Sequence, residues 1–259
     1  MINFIKAYWK TLLFLLGIGL LGGFFVGLYL LDGYPEQIRQ ELIAELSASG
    51  IPISAEILLG VVTAVQSAMY GAILGAVGIY LGKRTGLWRD ERALKRTPLL
   101  LTLIIATFGG LLLILPDVLI FSHHSEAIRA SYESKPTLAY LLASVTYGAV
   151  IEEVMLRLFC MSLVAFLLAK LFGKGEAHPT AKMLSLANVV SSLLFALGHL
   201  PATALLIGIT PMSVIRCLLL NGGLGLLFGY LYRKHGLRYA MLAHGGCHVV
   251  SKLIWMLFL

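Results

Sequence analysis

The sequence contains very little charge. Asp, Glu, Lys and Arg make up 13% of its 259 residues, whereas hydrophobic residues make up 59%. A soluble domain carries about 25% charged residues, because its surface must face water. The composition therefore excludes a soluble enzyme and a disordered chain. The chain also has only three cysteines, all in apolar stretches, which excludes a disulfide-stapled secreted domain. A polytopic membrane protein remains.

Anionic side chains are scarcer than cationic ones, and the formal net charge is +7. In a soluble domain this excess would suggest nucleic acid as a partner. In a membrane protein it has a simpler origin, because cytoplasmic loops collect Lys and Arg. No Gly-rich phosphate loop or basic aromatic patch is present. We therefore expect the lipid bilayer, and no nucleic acid, as a partner.

Long apolar runs dominate the sequence. A helix needs about 20 apolar residues to cross a bilayer. The fourth run (137–169) and the fifth run (183–209) are long enough to be kinked or divided. Pro201 predicts a kink in the fifth run. The predicted fold is an all-α polytopic membrane protein with a bundle of seven to eight transmembrane helices. A further short helix is predicted on the surface over 35–49. The runs are 11–31, 57–81, 98–121, 137–169, 183–209, 211–232 and 239–258.

The loops between these runs differ in basic charge. The N-terminus and the second, fourth and sixth loops hold 14 Lys and Arg, and the other three loops hold 3. This bias places the N-terminus in the cytoplasm. Short loops and the lack of a targeting signal favour an integral protein of a prokaryotic plasma membrane. The remaining basic residues lie inside predicted spans: Arg157, Arg216 and Lys252.

Polar groups inside three of the spans are the candidates for function. An ionisable residue in the hydrocarbon core costs on the order of 2.5–3.5 kcal/mol on insertion scales, so such residues usually mark a site. On the fourth span, Glu153 and Arg157 are four residues apart and can pair. Glu152 is rotated by about 100° and is free to point elsewhere. The others are His199, which follows Phe195 on the fifth span, and His244 and His248 on the seventh.

These residue types permit two chemistries. A carboxylate beside imidazoles in a dry pocket can activate water for hydrolysis and stabilise an oxyanion. Two histidines at i and i+4 can also ligate zinc. The zinc ligands would be Glu152, His199, His244 and His248. A purely structural role, as buried hydrogen-bonded groups, is the third possibility.

The order of the motifs resembles a known family. Glu-Glu-x-x-x-Arg, Phe-x-x-x-His and a later His-x-x-x-Asn/Asp are the signature of the CAAX protease and bacteriocin-processing (CPBP, or Abi) family of intramembrane proteases. A Gly-rich helix over 222–230 is also typical of it. The chain departs from the pattern at His248, where the family usually has Asn or Asp. The matching residues are Glu152, Glu153 and Arg157, then Phe195 and His199, then His244.

The resemblance implies a function and roles for individual residues. The chain would hydrolyse a peptide bond in a membrane-embedded or hydrophobic peptide or protein substrate. Glu152 would be the general base, and His199 would orient water or carry a proton. His244 and His248 would form the oxyanion side, while Glu153 and Arg157 would hold the first motif in place.

The resemblance also implies how the chain is organised. We expect N-terminal transmembrane helices over 1–136 and a catalytic core over 137–259. No cofactor is expected, although zinc stays possible. Two other functions remain open: a non-proteolytic scaffold or immunity protein of the same fold, which His248 would favour, and a transporter with a proton relay. The transporter would predict internal symmetry, which the sequence lacks.

Overall fold

The structure, a computed structural model, describes residues 2–50, 53–90, 93–173 and 178–259. The protein is 88% helical, and no strand occurs in these ranges. Seven helices are long and apolar enough to cross a membrane. In chain order, with two short helices, the elements are α1 (Asn3–Leu31), α2 (Glu36–Ala48), α3 (Ala55–Thr85), α4 (Arg96–His124), α5 (Glu126–Ser131), α6 (Leu138–Phe172), α7 (Ala181–Ile207), α8 (Pro211–His235) and α9 (Leu237–Phe258).

The predicted all-α polytopic fold is confirmed. Each of the seven apolar runs forms one long helix, and the described ranges contain no eighth membrane-spanning helix. The surface segment predicted over 35–49 forms α2. The fifth run forms α7, which ends at Ile207 and is interrupted at His199, two residues before Pro201. Proline has no N–H to continue the hydrogen-bond ladder, which accounts for an interruption at this point.

Small residues let α1 and α3 approach each other closely. A Cβ added at Gly23 would lie 2.7 Å from the Cα of Ala64, and one at Gly27 would lie 2.6 Å from the Cα of Gly60. At both positions the contact is with the backbone of α3, so a side chain would push the two helices apart. The four-residue spacing of such glycines is typical of tightly packed membrane helices. The first span is thereby fixed against the second.

The centre of α6 is wound more loosely than its ends. Its hydrogen bonds follow the π-helical i→i+5 pattern over Ser144–Glu152 and again over Val154–Met161, while both ends are α-helical. Such π segments are rare and occur frequently at functional sites. In this protein the change of pattern falls at Glu152 and Glu153. The geometry of α6 is therefore unusual at the two candidate carboxylates.

Candidate active site

Polar side chains from α6, α7 and α9 meet inside the helix bundle. Glu153 and Arg157 are both fully buried, and Glu153 Oε1 lies 3.2 Å from Arg157 Nη1. The Arg157 guanidinium also donates through Nη2 to the carbonyl of Gly225 on α8, at 3.1 Å. A Cβ added at residue 225 would lie 3.1 Å from the same Nη2 atom. The Arg157 guanidinium therefore fills the space between α6 and α8, and a side chain at residue 225 would contact it closely.

Two aromatic rings enclose this buried guanidinium. Its central carbon lies 4.5 Å from the ring centroid of Phe195 on α7 and 5.6 Å from that of Phe228 on α8. A cation over an aromatic face is attracted by the ring quadrupole, and the attraction strengthens without water. Phe195, which the sequence placed four residues before His199, thus contacts the motif on α6 directly.

His244 on α9 lies between the two carboxylates of α6. Its Nδ1 is 2.9 Å from Glu153 Oε1, and its Nε2 is 3.9 Å from Glu152 Oε2. The imidazole stacks on Phe228 at a centroid distance of 4.7 Å and an interplanar angle of 18°. As expected from its position on the helix, Glu152 points away from the Glu153–Arg157 pair, and the structure directs it at His244. Both carboxylates face the same histidine, from opposite sides of its ring.

The two carboxylates have different surroundings. The Glu153 side chain is fully buried and ion-paired, whereas the Glu152 side chain is 20% exposed. A Cβ added at Gly148 would lie 3.5 Å from His248 Nε2 and 3.9 Å from Glu152 Oε2. A side chain at residue 148 would therefore contact both groups, which places Glu152 and His248 beside each other next to Gly148.

His199 and His248 complete the polar cluster. His199 Nδ1 lies 2.7 Å from the carbonyl of Phe195, which accepts a hydrogen bond. The Nε2 of His199 is therefore the nitrogen with a free lone pair. His248 Nε2 lies 3.2 Å from His244 Nε2, as expected for two histidines four residues apart on one helix face. The structure brings all six residues predicted for the site into this region.

A small cavity lies among the histidines. Its volume is about 30 Å³. A cavity of roughly 10–15 Å³ is enough to hold one water molecule. Aromatic and aliphatic side chains supply most of its wall, and imidazoles supply the polar part. The lining residues are Leu113, Phe195, His199, Asn221, Leu224, Phe228, His244 and His248.

A second cavity, of about 90 Å³, adjoins the first. His248 and Leu113 line both, so the histidine forms part of the wall between them. Arg216 donates to both oxygens of Asp117 in this cavity, through Nε at 2.6 Å and Nη2 at 2.5 Å. The Tyr132 hydroxyl donates to the same carboxylate at 2.8 Å. Burial, together with that carboxylate, raises the pKa of the Tyr132 phenol, which keeps its donor proton.

A comparison with known families bears on this geometry. The family model described as Type II CAAX prenyl endopeptidase Rce1-like matches residues 134–250. This part of the chain is similar to the CAAX protease family. The match supports an intramembrane protease of the CAAX type, and the seven apolar helices make the chain an integral membrane protein. No curated protein and no solved structure matches the chain. The predicted division at 136/137 stays a prediction.

The CAAX protease match includes all six residues predicted for the site. It ends two residues before Lys252, which the sequence analysis counted only as a basic residue within a span. Lys252 Nζ lies 3.4 Å from His248 Nδ1. Its position was readable as a third member of the His244, His248 series at four-residue spacing. Asp117 and Arg216, in contrast, are 99 residues apart, and no local pattern pairs them.

The zinc alternative can be checked against the donor atoms of the site. The described residues contain no group of three or more His, Cys, Asp and Glu arranged to hold a metal ion. His244 uses Nδ1 for Glu153 and directs Nε2 at His248, while His199 uses Nδ1 for a backbone carbonyl. The four residues considered as zinc ligands do not fit a tetrahedral site in this arrangement. No catalytic step is therefore derived through a metal.

Proposed function

We propose that the protein is an intramembrane endopeptidase whose Glu152 activates water to hydrolyse a peptide bond in a membrane-associated substrate. The observation that carries this proposal is the unequal pair of carboxylates on either side of His244. Glu153 is held by Arg157 and by His244 Nδ1. Glu152 is partly exposed and has no such ion pair with Arg157. Only Glu152 has the room to exchange a proton with water and substrate.

The reaction then follows from the positions of donors and acceptors. Glu152 accepts a proton from water, and the resulting hydroxide oxygen bonds to the carbonyl carbon of the substrate. The C–N bond breaks as the leaving nitrogen takes the proton back from Glu152. This use of one carboxylate as base and then acid is ordinary general acid–base catalysis. The oxygen of the water ends in the new carboxyl group together with one of its protons. Glu152 carries the other proton to the leaving nitrogen.

The histidines supply the electrostatic part of the mechanism. His248 Nε2 lies 3.2 Å from His244 Nε2. It is also close to Gly148 and Glu152, where its N–H can be shared with the oxyanion. His199, with its free Nε2 on the small cavity, orients the water by accepting one of its protons in a hydrogen bond. Such fixed dipoles stabilise developing charge most strongly where bulk water is excluded. Glu153 and Arg157 hold His244 in place without touching the substrate.

The test is a profile of new protein termini in cells that produce the wild type or the Glu152→Gln variant. Termini that disappear in the variant establish proteolysis and identify the substrates. Glu133→Gln, an exposed carboxylate in the loop before α6, is the control and should leave the profile unchanged. Identical profiles for wild type and Glu152→Gln, at matched amounts of folded protein, would contradict the proposal and favour the scaffold or immunity function. Metal analysis of active enzyme separates a metal-free from a zinc-dependent reaction.

We also propose that the substrate reaches the site from the non-cytoplasmic face of a prokaryotic plasma membrane. The larger cavity lies at the ends of the helices opposite the basic loops. Trp255 is near the end of α9, Tyr140 is near the start of α6, and Tyr132 is in the loop between α5 and α6. With the basic loops in the cytoplasm, that cavity opens to the outside.

Cysteine labelling tests this orientation. Single cysteines are placed at Ser134, in the loop before α6, and at His178, in the loop before α7, both of which are exposed. In intact cells an impermeant maleimide should label Ser134→Cys, and His178→Cys should react only after permeabilisation. The reverse pattern would place the cavity on the cytoplasmic side. The background for both variants lacks the native cysteines, namely Cys160, Cys217 and Cys247.

A further inference from the structure

Lys252 is a buried cation that the proposed mechanism does not use. Its residue exposure is only 3%, although it lies on α9 within the membrane-spanning region. Its ammonium contacts are an imidazole and an aromatic ring, with Nζ 3.4 Å from His248 Nδ1 and 3.9 Å from the ring centroid of Tyr140. A charge in such a position is expensive and usually functional.

The donors and acceptors around Lys252 fix the direction of a hydrogen-bond chain. A lysine ammonium has three donors and no acceptor, so His248 Nδ1 must be the acceptor. The proton of a neutral His248 is then on Nε2, which lies 3.2 Å from His244 Nε2. His244 can accept there, because its own proton is on Nδ1 and is donated to Glu153 at 2.9 Å.

The Glu153 end of the hydrogen-bond chain requires the same order of donors and acceptors. The Glu153 carboxylate is paired with Arg157 and can only accept, which independently places the His244 proton on Nδ1. If His248 carried its proton on Nδ1, two nitrogen lone pairs would face each other across 3.2 Å. The Tyr140 ring favours the charged form of Lys252 through its quadrupole. Both ends of the chain thus select one tautomer of His248.

We propose that Lys252 is a positioning residue that holds His248 in the Nε2–H tautomer, so that this N–H, which donates to His244 Nε2 at rest, is available to turn to an oxyanion. The inference rests on the proposed function of the site. An Asn or Asp usually occupies the position of His248 in the family, and an amide there needs no helper, because its donor is fixed. A histidine has two tautomers, and Lys252 selects the one that donates.

The tautomer is measured first, because it does not depend on activity. The purified protein is labelled with ¹⁵N histidine, and the ring signals of His248 are assigned by their loss in His248→Asn. In the wild type the spectrum should show Nε2 protonated and Nδ1 unprotonated. Lys252→Met should give a mixture of tautomers, while Lys252→Arg should keep the wild-type pattern. A protonated Nδ1 in the wild type, or an unchanged spectrum in Lys252→Met, would overturn the inference.

Kinetics then test the consequence for catalysis. In the His248 background, Lys252→Met should lower kcat by about 10²-fold with little change in KM, the size of effect that a misplaced group produces. In the His248→Asn background the same change should have at most about a threefold effect, since the amide donor is already fixed. Equal losses in both backgrounds, or no turnover in His248→Asn, would contradict the inference. Thermal unfolding excludes variants that do not fold.

These outcomes separate the inference from the proposed function. If the protein proves not to be a protease, the kinetics show no turnover in any variant, but the ¹⁵N spectra still report whether Lys252 sets the tautomer. If the protein is a protease and the spectra of wild type and Lys252→Met agree, only the positioning role of Lys252 is contradicted, and the proposed function stands. Lys252→Arg provides the matched rescue, because it keeps the charge and the donor.

Discussion

Glu152→Gln is expected to lower kcat by about 10³-fold while KM stays nearly unchanged. General acid–base groups contribute roughly 10²–10⁴-fold, and a glutamine amide cannot take the proton from water. KM should change little, because the amide has nearly the size and polarity of the carboxylate. The measurement is steady-state cleavage of a substrate peptide identified from the terminus profile. Purified enzyme in detergent or lipid nanodiscs is suitable.

The same variant should fold as well as the wild type. The Glu152 side chain is 20% exposed and lies 3.9 Å from its nearest histidine nitrogen, so no buried ion pair is broken. Thermal unfolding should therefore be unchanged, and Glu133→Gln should match the wild type in both assays. A loss of less than tenfold in kcat would exclude Glu152 as the general base. A collapse in thermal stability would instead show that its role is structural.

Breaking the Glu153–Arg157 pair is expected to have the largest effect on stability. Removal of one member of a buried ion pair leaves an uncompensated charge and costs about 3–5 kcal/mol. Both side chains are fully buried, and Arg157 also bonds the backbone of α8. Glu153→Gln and Arg157→Met should each lower the stability by about this amount. Urea or thermal unfolding in a fixed detergent measures the change.

The double variant makes this prediction specific to the pair. With both charges removed, neither is left unpaired, so the loss should be smaller than the sum of the two single losses. Arg129 and Glu126 on α5 form the matched control, since they are also a Glu–Arg pair on a helix but are 63% and 72% exposed. Breaking that surface pair should leave stability unchanged. Strictly additive losses for the buried pair would show that the two side chains act independently.

The sequence alone predicts the elements and part of the site. Apolar runs of about 20 residues must be helical in lipid, because a backbone without water satisfies its hydrogen bonds within the helix. For the same local reason, the spacing of Glu153 and Arg157 predicted their ion pair, and that of His244 and His248 predicted their common face. The position of Pro201 predicted the interruption of α7. Each of these depends on residues of one continuous segment of the chain.

Contacts between helices depend on the packing of the whole bundle. The spacing on α6 predicted that Glu153, and not Glu152, pairs with Arg157, but the sequence could not show that both carboxylates face His244 or that only Glu153 is fully buried. That difference arises where the π-helical centre of α6 meets α8 and α9. The sequence could not reveal the cavities either, because their walls come from several helices.

The sequence by itself determined that this is an all-α membrane protein of seven to eight spans with the motifs of an intramembrane protease, because helical periodicity and apolar length are local properties. The tertiary structure decided which polar groups share protons. The chain from Lys252 through His248 and His244 to Glu153 has a direction only because each side chain lies within hydrogen-bond distance of the next. The first two steps follow from the four-residue spacing on α9, whereas the step from His244 to Glu153 depends on how α6 and α9 pack, which a linear sequence does not contain.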